Sequence, residues 1–101
     1  MPALTREERH LLDPDGSFLL RLVEDRQTIS KLIEIGPLAE IAPIVHRLAG
    51  AAGTFGFDEL GEISITLDEA FVAGTPVSVA GHIQPLIAAI ARAIRIGRKS
   101  G

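Results

Sequence analysis

Cysteine is absent from the 101 residues, which excludes thiol nucleophiles, zinc thiolates and disulfides. Three histidines, His10, His46 and His82, are then the first candidates for nucleophilic or metal-binding chemistry near neutral pH. They lie on separate segments, and no HxxxH or HExxH spacing supports a metal, so none is expected. Ser17, Ser30 and Ser64 stand in no hydrolase-like context. Asp25, Glu34, Glu59, Glu62, Asp68 and Glu69 are scattered and read as solvated helix faces. Gly50-x-x-Gly53-x-x-Gly56 has neither the preceding strand nor the Gly-Lys-Ser/Thr of a phosphate-binding loop.

His46 is different because of its neighbours. On a helical wheel of about 100° per residue, Ile41, Ile44, Leu48, Ala52 and Phe55 collect on one side and His46 falls opposite. Its own stripe carries Ala39, Ala42, Pro43, Ala49, Gly50 and Gly53, all small. A glycine inside a helix costs about 1 kcal/mol relative to alanine, so two of them need a reason. Clearing a path for another protein to the imidazole is one; close helix–helix packing, with His46 an ordinary buried residue, is the other.

The elements that must hold His46 in place are helical. Hydrophobic residues make up 47% of the chain, enough for a core at this length, but its four aromatics are all Phe. A core of Leu, Ile, Val and Ala suits helix-on-helix packing. Thr5 and Glu8 have capping-box spacing, which allows a short extra helix over about 6–12. Asp13-Pro14-Asp15-Gly16 is a turn or a helix start, Pro14 fitting the first helical position after an Asp13 cap, and the next segment, about 15–35, has Phe18, Leu22, Ile29, Leu32 and Ile33 at helical spacing. Gly36-Pro37 ends it and opens the helix of His46, which Gly56 stops. A further helix spans about 58–72, with Leu60, Ile63, Leu67 and Phe71 in phase, and Gly74-Thr75-Pro76 breaks it. The last, about 77–96, presents Val79, Ile83, Leu86, Ile87, Ile90 and Ile94. Pro43 and Pro85 predict a kink or restart just before each. The expected fold is all-α, an antiparallel up-down four-helix bundle within a single domain over 1–101, its core at about 14–96.

The run His46-Arg47-Leu48-Ala49-Gly50-Ala51-Ala52-Gly53-Thr54-Phe55-Gly56-Phe57, followed by Leu60, resembles the signature of histidine-containing phosphotransfer (HPt) domains. That signature is His, any residue, Leu, usually Lys, Gly, two small residues, a variable stretch, Gly, then Leu. It is met at His46, Leu48, Gly50, Ala51, Ala52, Gly56 and Leu60, and the resemblance extends over about 14–96. The resemblance implies a phosphorelay intermediate: a phosphocarrier, not an enzyme, whose histidine takes a phosphoryl group from a receiver-domain aspartate and passes it to another. By position His46 is the phosphorylated residue, through the ring nitrogen farther from the backbone. The partners implied are response-regulator receivers, with a hybrid histidine kinase a further candidate. The receiver brings the metal and acidic pocket, so no cofactor is expected here. Docking is expected over Ala42, Pro43, Gly50 and Gly53. One departure stands out: Ala49 occupies the position where the family usually has Lys. Arg47 points about 100° away, and the sequence leaves open whether its guanidinium bends back toward the phosphate or a basic residue on a neighbouring helix substitutes.

Two rival readings remain open, an HPt-like interaction module that is not phosphorylated and a sensor-kinase-like dimerisation domain contributing two helices per subunit. Formal net charge is −3, which argues against nucleic acid as the main partner. The basic cluster Arg92, Arg95, Arg98 and Lys99 reads as favourable charge at a helix C-terminus. The longest apolar run, Leu86–Ala91, ends at Arg92, and the N-terminus lacks a signal-peptide pattern. A monomer in the cytoplasm, away from membranes, is the expectation.

Overall fold

The computed structural model describes residues 5–99, the side chains of Arg6, Arg9, His10 and Lys99 excepted. His10 therefore lies outside the described side chains. Five α-helices follow one another: α1 (Arg6–Leu12), α2 (Ser17–Ile35), α3 (Ala42–Ala51), α4 (Asp58–Ala73) and α5 (Pro76–Lys99), with a 3-10 turn at Leu38–Ile41. No strand occurs among the described residues. The last four helices make the antiparallel bundle. In it α3 lies along α4, α4 along α5 and α5 along α2, while the 3-10 turn closes the gap between α2 and α3. One chain thus supplies all four bundle helices, which removes the reading of two helices per subunit.

Helix ends follow from local chemistry. Thr5 and Glu8 form the capping box: the Thr5 N–H donates to Glu8 Oε1 at 2.9 Å and the Glu8 N–H to Thr5 Oγ1 at 3.1 Å. Asp13 does act as a cap, but for a helix that starts at Ser17 rather than at Pro14. Its carboxylate accepts the N–H groups of Phe18 and Leu19 at 3.2 and 3.3 Å across a turn closed by Gly16 at φ 70°. Within that turn Asp15 accepts the Ser17 N–H at 3.0 Å, and this bond holds its carboxyl below the ordinary value. At the end of α4, Gly74 in the left-handed region lets Thr75 N–H reach the Ala70 carbonyl at 3.2 Å, and Pro76 then opens α5.

The two internal prolines behave differently. Before Pro43 the chain restarts as expected: a 3-10 turn runs into α3, and Pro43 sits in its first turn, where the missing N–H costs no bond. Before Pro85 no restart occurs, and α5 continues from Pro76 to Lys99. The carbonyl deprived of its donor belongs to Gly81, which is exposed, so water can serve it, and the absent Cβ relieves crowding there.

The core is aliphatic. Leu22 and Ile29 of α2, Ile41 of the 3-10 turn, Val45 and Leu48 of α3, Leu60 and Leu67 of α4, and Leu86, Ile90 and Ile94 of α5 are buried. Burial of each such side chain stabilises by about 1.5–3 kcal/mol before the ordering entropy is subtracted. By length and mean hydropathy α5 is also apolar enough to cross a membrane, contrary to the sequence reading. Its apolar residues Val79, Ile83, Leu86, Ala89, Ile90, Ala93 and Ile94 instead form the buried face of the bundle. At one end Phe18 stacks on Phe55 with ring centroids 4.3 Å apart and on Phe57 at 5.8 Å. These contacts tie the start of α2 to the chain that leaves α3.

Candidate functional site

α3 presents His46 as the wheel requires. Ile41, Val45, Leu48 and Ala52 are buried, and the imidazole side chain on the opposite side is 79% exposed. The ring is not free to spin. Its Nδ1 lies 3.2 and 3.3 Å from the two carboxylate oxygens of Asp68 on α4. A carboxylate only accepts, so Nδ1 carries the proton and donates it. The other nitrogen, Nε2, then holds the lone pair in the neutral ring, and it is the nitrogen turned away from Asp68. Asp68 thus favours this rotamer and this tautomer, as the carboxylate partner of a nucleophilic or ligating histidine does elsewhere. The sequence reading had placed Asp68 among the solvated carboxylates; its side chain is only 24% exposed and is held in the α3–α4 seam.

The seam has a simple register. Gly61 of α4 is buried, and a Cβ there would meet the Gly53 backbone nitrogen at 3.3 Å. Gly53 and Gly61 are equally far from Phe57, and so are His46 and Asp68. On two antiparallel helices rising at the same rate, residues equidistant from the connection lie level. Gly61 is therefore the glycine that serves close helix packing. Gly50 and Gly53 are exposed, and a Cβ on either would meet nothing within 4 Å. Gly53 stands past the end of α3, in turns that run from Ala52 to a left-handed Gly56 at φ 89°. Of Gly50 and Gly53, only Gly50 therefore bears the cost of an in-helix glycine, and Gly56 ends the turns rather than the helix itself.

Around the ring, Pro43, Gly50 and Gly53 are exposed and Ala42 and Ala49 are half-buried. α4 adds two apolar residues that were not foreseen as part of this face. Ile65 and Val72 lie three residues before and four after Asp68, hence on its side of the helix, and both are exposed.

Arg47 does not bend back toward the ring. Its Nη2 donates to Oδ1 of Asp25 on α2 at 2.5 Å, and Arg21 Nε stands 3.6 Å from the same oxygen. Asp25 is 4% exposed, not solvated as the sequence suggested, and its Oδ2 is buried without a partner among the described residues. A buried carboxylate holds the nearest guanidinium more firmly than an exposed one could. This corrects the placing of Arg47 in the phosphate environment, and of the two compensations left open for Ala49 it removes the guanidinium that bends back. His82 is tied to its own helix, its Nδ1 donating to the Ser78 carbonyl at 2.6 Å. Arg92 leaves the C-terminal basic cluster to pair with Glu59 at 2.7 Å.

The family model described as the Hpt domain matches residues 16–95. The chain therefore belongs to the Hpt-domain family, whose members are phosphocarriers of two-component signalling rather than enzymes. No curated protein and no solved structure shows significant similarity to it.

Proposed function

We propose that His46 is the phosphoryl acceptor of a relay between receiver domains. One observation supports this above others: an exposed imidazole whose Nδ1–H is anchored to Asp68, so that Nε2 presents its lone pair to an incoming protein. The receiver's acyl phosphate approaches along the small-residue face of Ala42, Pro43, Gly50 and Gly53, with Ile65 and Val72 supplying apolar contact from α4. As the Nε2–P bond forms, the P–O bond to the receiver's aspartate breaks and that carboxylate leaves. Nδ1 keeps its proton, so the phosphorylated ring becomes cationic, and the Asp68 carboxylate offsets that charge. Onward transfer is the reverse, with a second receiver's carboxylate attacking phosphorus and Nε2 leaving. The receiver supplies the metal ion and acidic pocket; this module supplies position, since phosphoryl transfer is mainly positioning and charge stabilisation. Such docking is transient and modest in area, in keeping with a monomeric cytoplasmic carrier.

A second reading has an observation behind it. With Ala49 in place of the usual Lys and Arg47 committed to Asp25, neither position can place a cation beside the phosphate. A module that docks on receivers without accepting phosphate would look like this.

The experiment that separates them is incubation with a phosphorylated receiver, scored as acid-labile phosphate on the native chain and on His46→Gln. Label on the native chain and none on the variant is expected. Native protein that binds the receiver but takes no label supports the second reading.

A further inference from the structure

α2 and α5, the helix pair that does not carry His46, border an open surface cleft of about 450 Å³ lined by Arg26, Ala91, Ile94, Arg95 and Arg98. Its size falls in the range of small-molecule sites. Three features set it apart. The guanidiniums come from two helices, so the sequence cluster at the C-terminus is completed by Arg26 from α2, a residue far away in the chain. Among the described residues no carboxylate lines the cleft and none of Arg26, Arg95 and Arg98 forms an ion pair, whereas Arg21, Arg47 and Arg92 each have one. The floor is apolar, made by Ala91 and Ile94.

Three like charges gathered in one cleft of a chain whose formal net charge is −3 repel one another until an anion neutralises them. A lone carboxylate carries too little charge. Guanidinium forks match phosphate oxygens two at a time, and a ligand with two linked phosphates brings charge of the right order. We propose that this cleft binds a small organic ligand with two or more phosphate groups, the phosphates held by Arg26, Arg95 and Arg98 and the carbon skeleton laid on Ala91 and Ile94. The site is independent of His46 and lies on other helices, so it can be filled whether or not the relay reading holds.

The test is a calorimetric titration of the full chain with inorganic phosphate, pyrophosphate and ADP, repeated on Arg26→Gln/Arg95→Gln and on His46→Gln, with circular dichroism to show that each variant folds. Pyrophosphate is expected to bind more tightly than phosphate, and ADP more tightly than pyrophosphate because its nucleoside uses the floor. Each arginine removed should weaken ADP by about tenfold, and His46→Gln should leave it unchanged. Sedimentation with vesicles containing a phosphoinositide bisphosphate, against neutral vesicles, distinguishes a lipid headgroup from a free ligand; arginine-dependent retention there supports the same phosphate chemistry. The proposal is overturned if no phosphate probe binds at millimolar concentration, if the double variant binds as the native chain does, or if only an acidic peptide such as oligoglutamate is captured.

Discussion

His46 and Arg47 are neighbours in sequence, and each meets an aspartate 22 residues away, yet the two pairs have opposite characters. Arg47 turns inward to Asp25, which is 4% exposed, and locks α3 to α2. His46 turns outward, 79% exposed, with Asp68 behind it. A buried pair is architecture, because the Asp25 carboxylate, out of water, depends on the guanidiniums of Arg47 and, farther off, Arg21 once the bundle closes. An exposed pair adds little to stability, and that leaves the imidazole available to an incoming group. The two pairs differ chiefly by the rotation of about 100° that separates consecutive helical residues.

Breaking the inward pair should have the largest effect. Arg47→Met leaves the Asp25 carboxylate buried with only Arg21 nearby, and should cost about 3 kcal/mol in urea unfolding. Replacing both partners, as Asp25→Leu with Arg47→Met, should recover most of that loss, because the charge that must not be stranded has gone. A loss below about 0.5 kcal/mol for the single variant, the range of ordinary surface changes, would show that the pair is not structural.

The docking face comes next. Gly50→Gln places a long side chain beside His46 where a Cβ meets nothing. It should slow phosphotransfer from a receiver by at least about tenfold, while the helix gains up to about 1 kcal/mol from losing a glycine. Transfer at the native rate would mean that the receiver approaches from elsewhere. Breaking the outward pair is milder. Asp68→Asn removes the charge that offsets the phosphorylated ring but keeps an acceptor for Nδ1–H. Phosphorylation should slow by about fivefold, or about 1 kcal/mol in the barrier, with stability changed by less than about 0.5 kcal/mol. Equal single-turnover rates would reduce Asp68 to a surface contact.

Both pairs show where sequence reasoning stops. A wheel describes one helix, and it was enough to turn His46 to solvent and Leu48 to the core. It says nothing of what stands on the next helix, so Asp25 and Asp68 looked alike, two solvated acids. Folding the sequence about its connections would have told more. Asp68 and His46 are equidistant from Phe57, and Asp25 and Arg47 are equidistant from Gly36, the residues about which the chain reverses. Helix number and order were legible because the apolar period and the Gly-Pro breaks agree. The start of α2 was not, because Asp13 caps from four residues upstream, across a turn rather than at the first helical position. The unbroken α5 was not, because the cost of Pro85 depends on whether water reaches the Gly81 carbonyl, and no local pattern records that.

The smallest effect concerns the residue that departs from the family's usual Lys. Ala49 is half-buried, three residues past His46 and so on a neighbouring part of the same face. In Ala49→Lys the methylene stem can lie along the α3–α4 seam while the ammonium reaches water beside the phosphate. An exposed ion pair of this kind is worth about 0.2–1 kcal/mol. The phosphorylated form should therefore persist about two- to threefold longer, measured as the decay of acid-labile label on the isolated module. The gain should shrink as salt rises, since screening at about 8 Å under physiological ionic strength acts on exposed charges first. A longer lifetime that ignores salt would point to shielding of phosphorus from water by the added stem, and equal decay of the two proteins would show that the missing cation has no bearing on how long the histidine holds its charge.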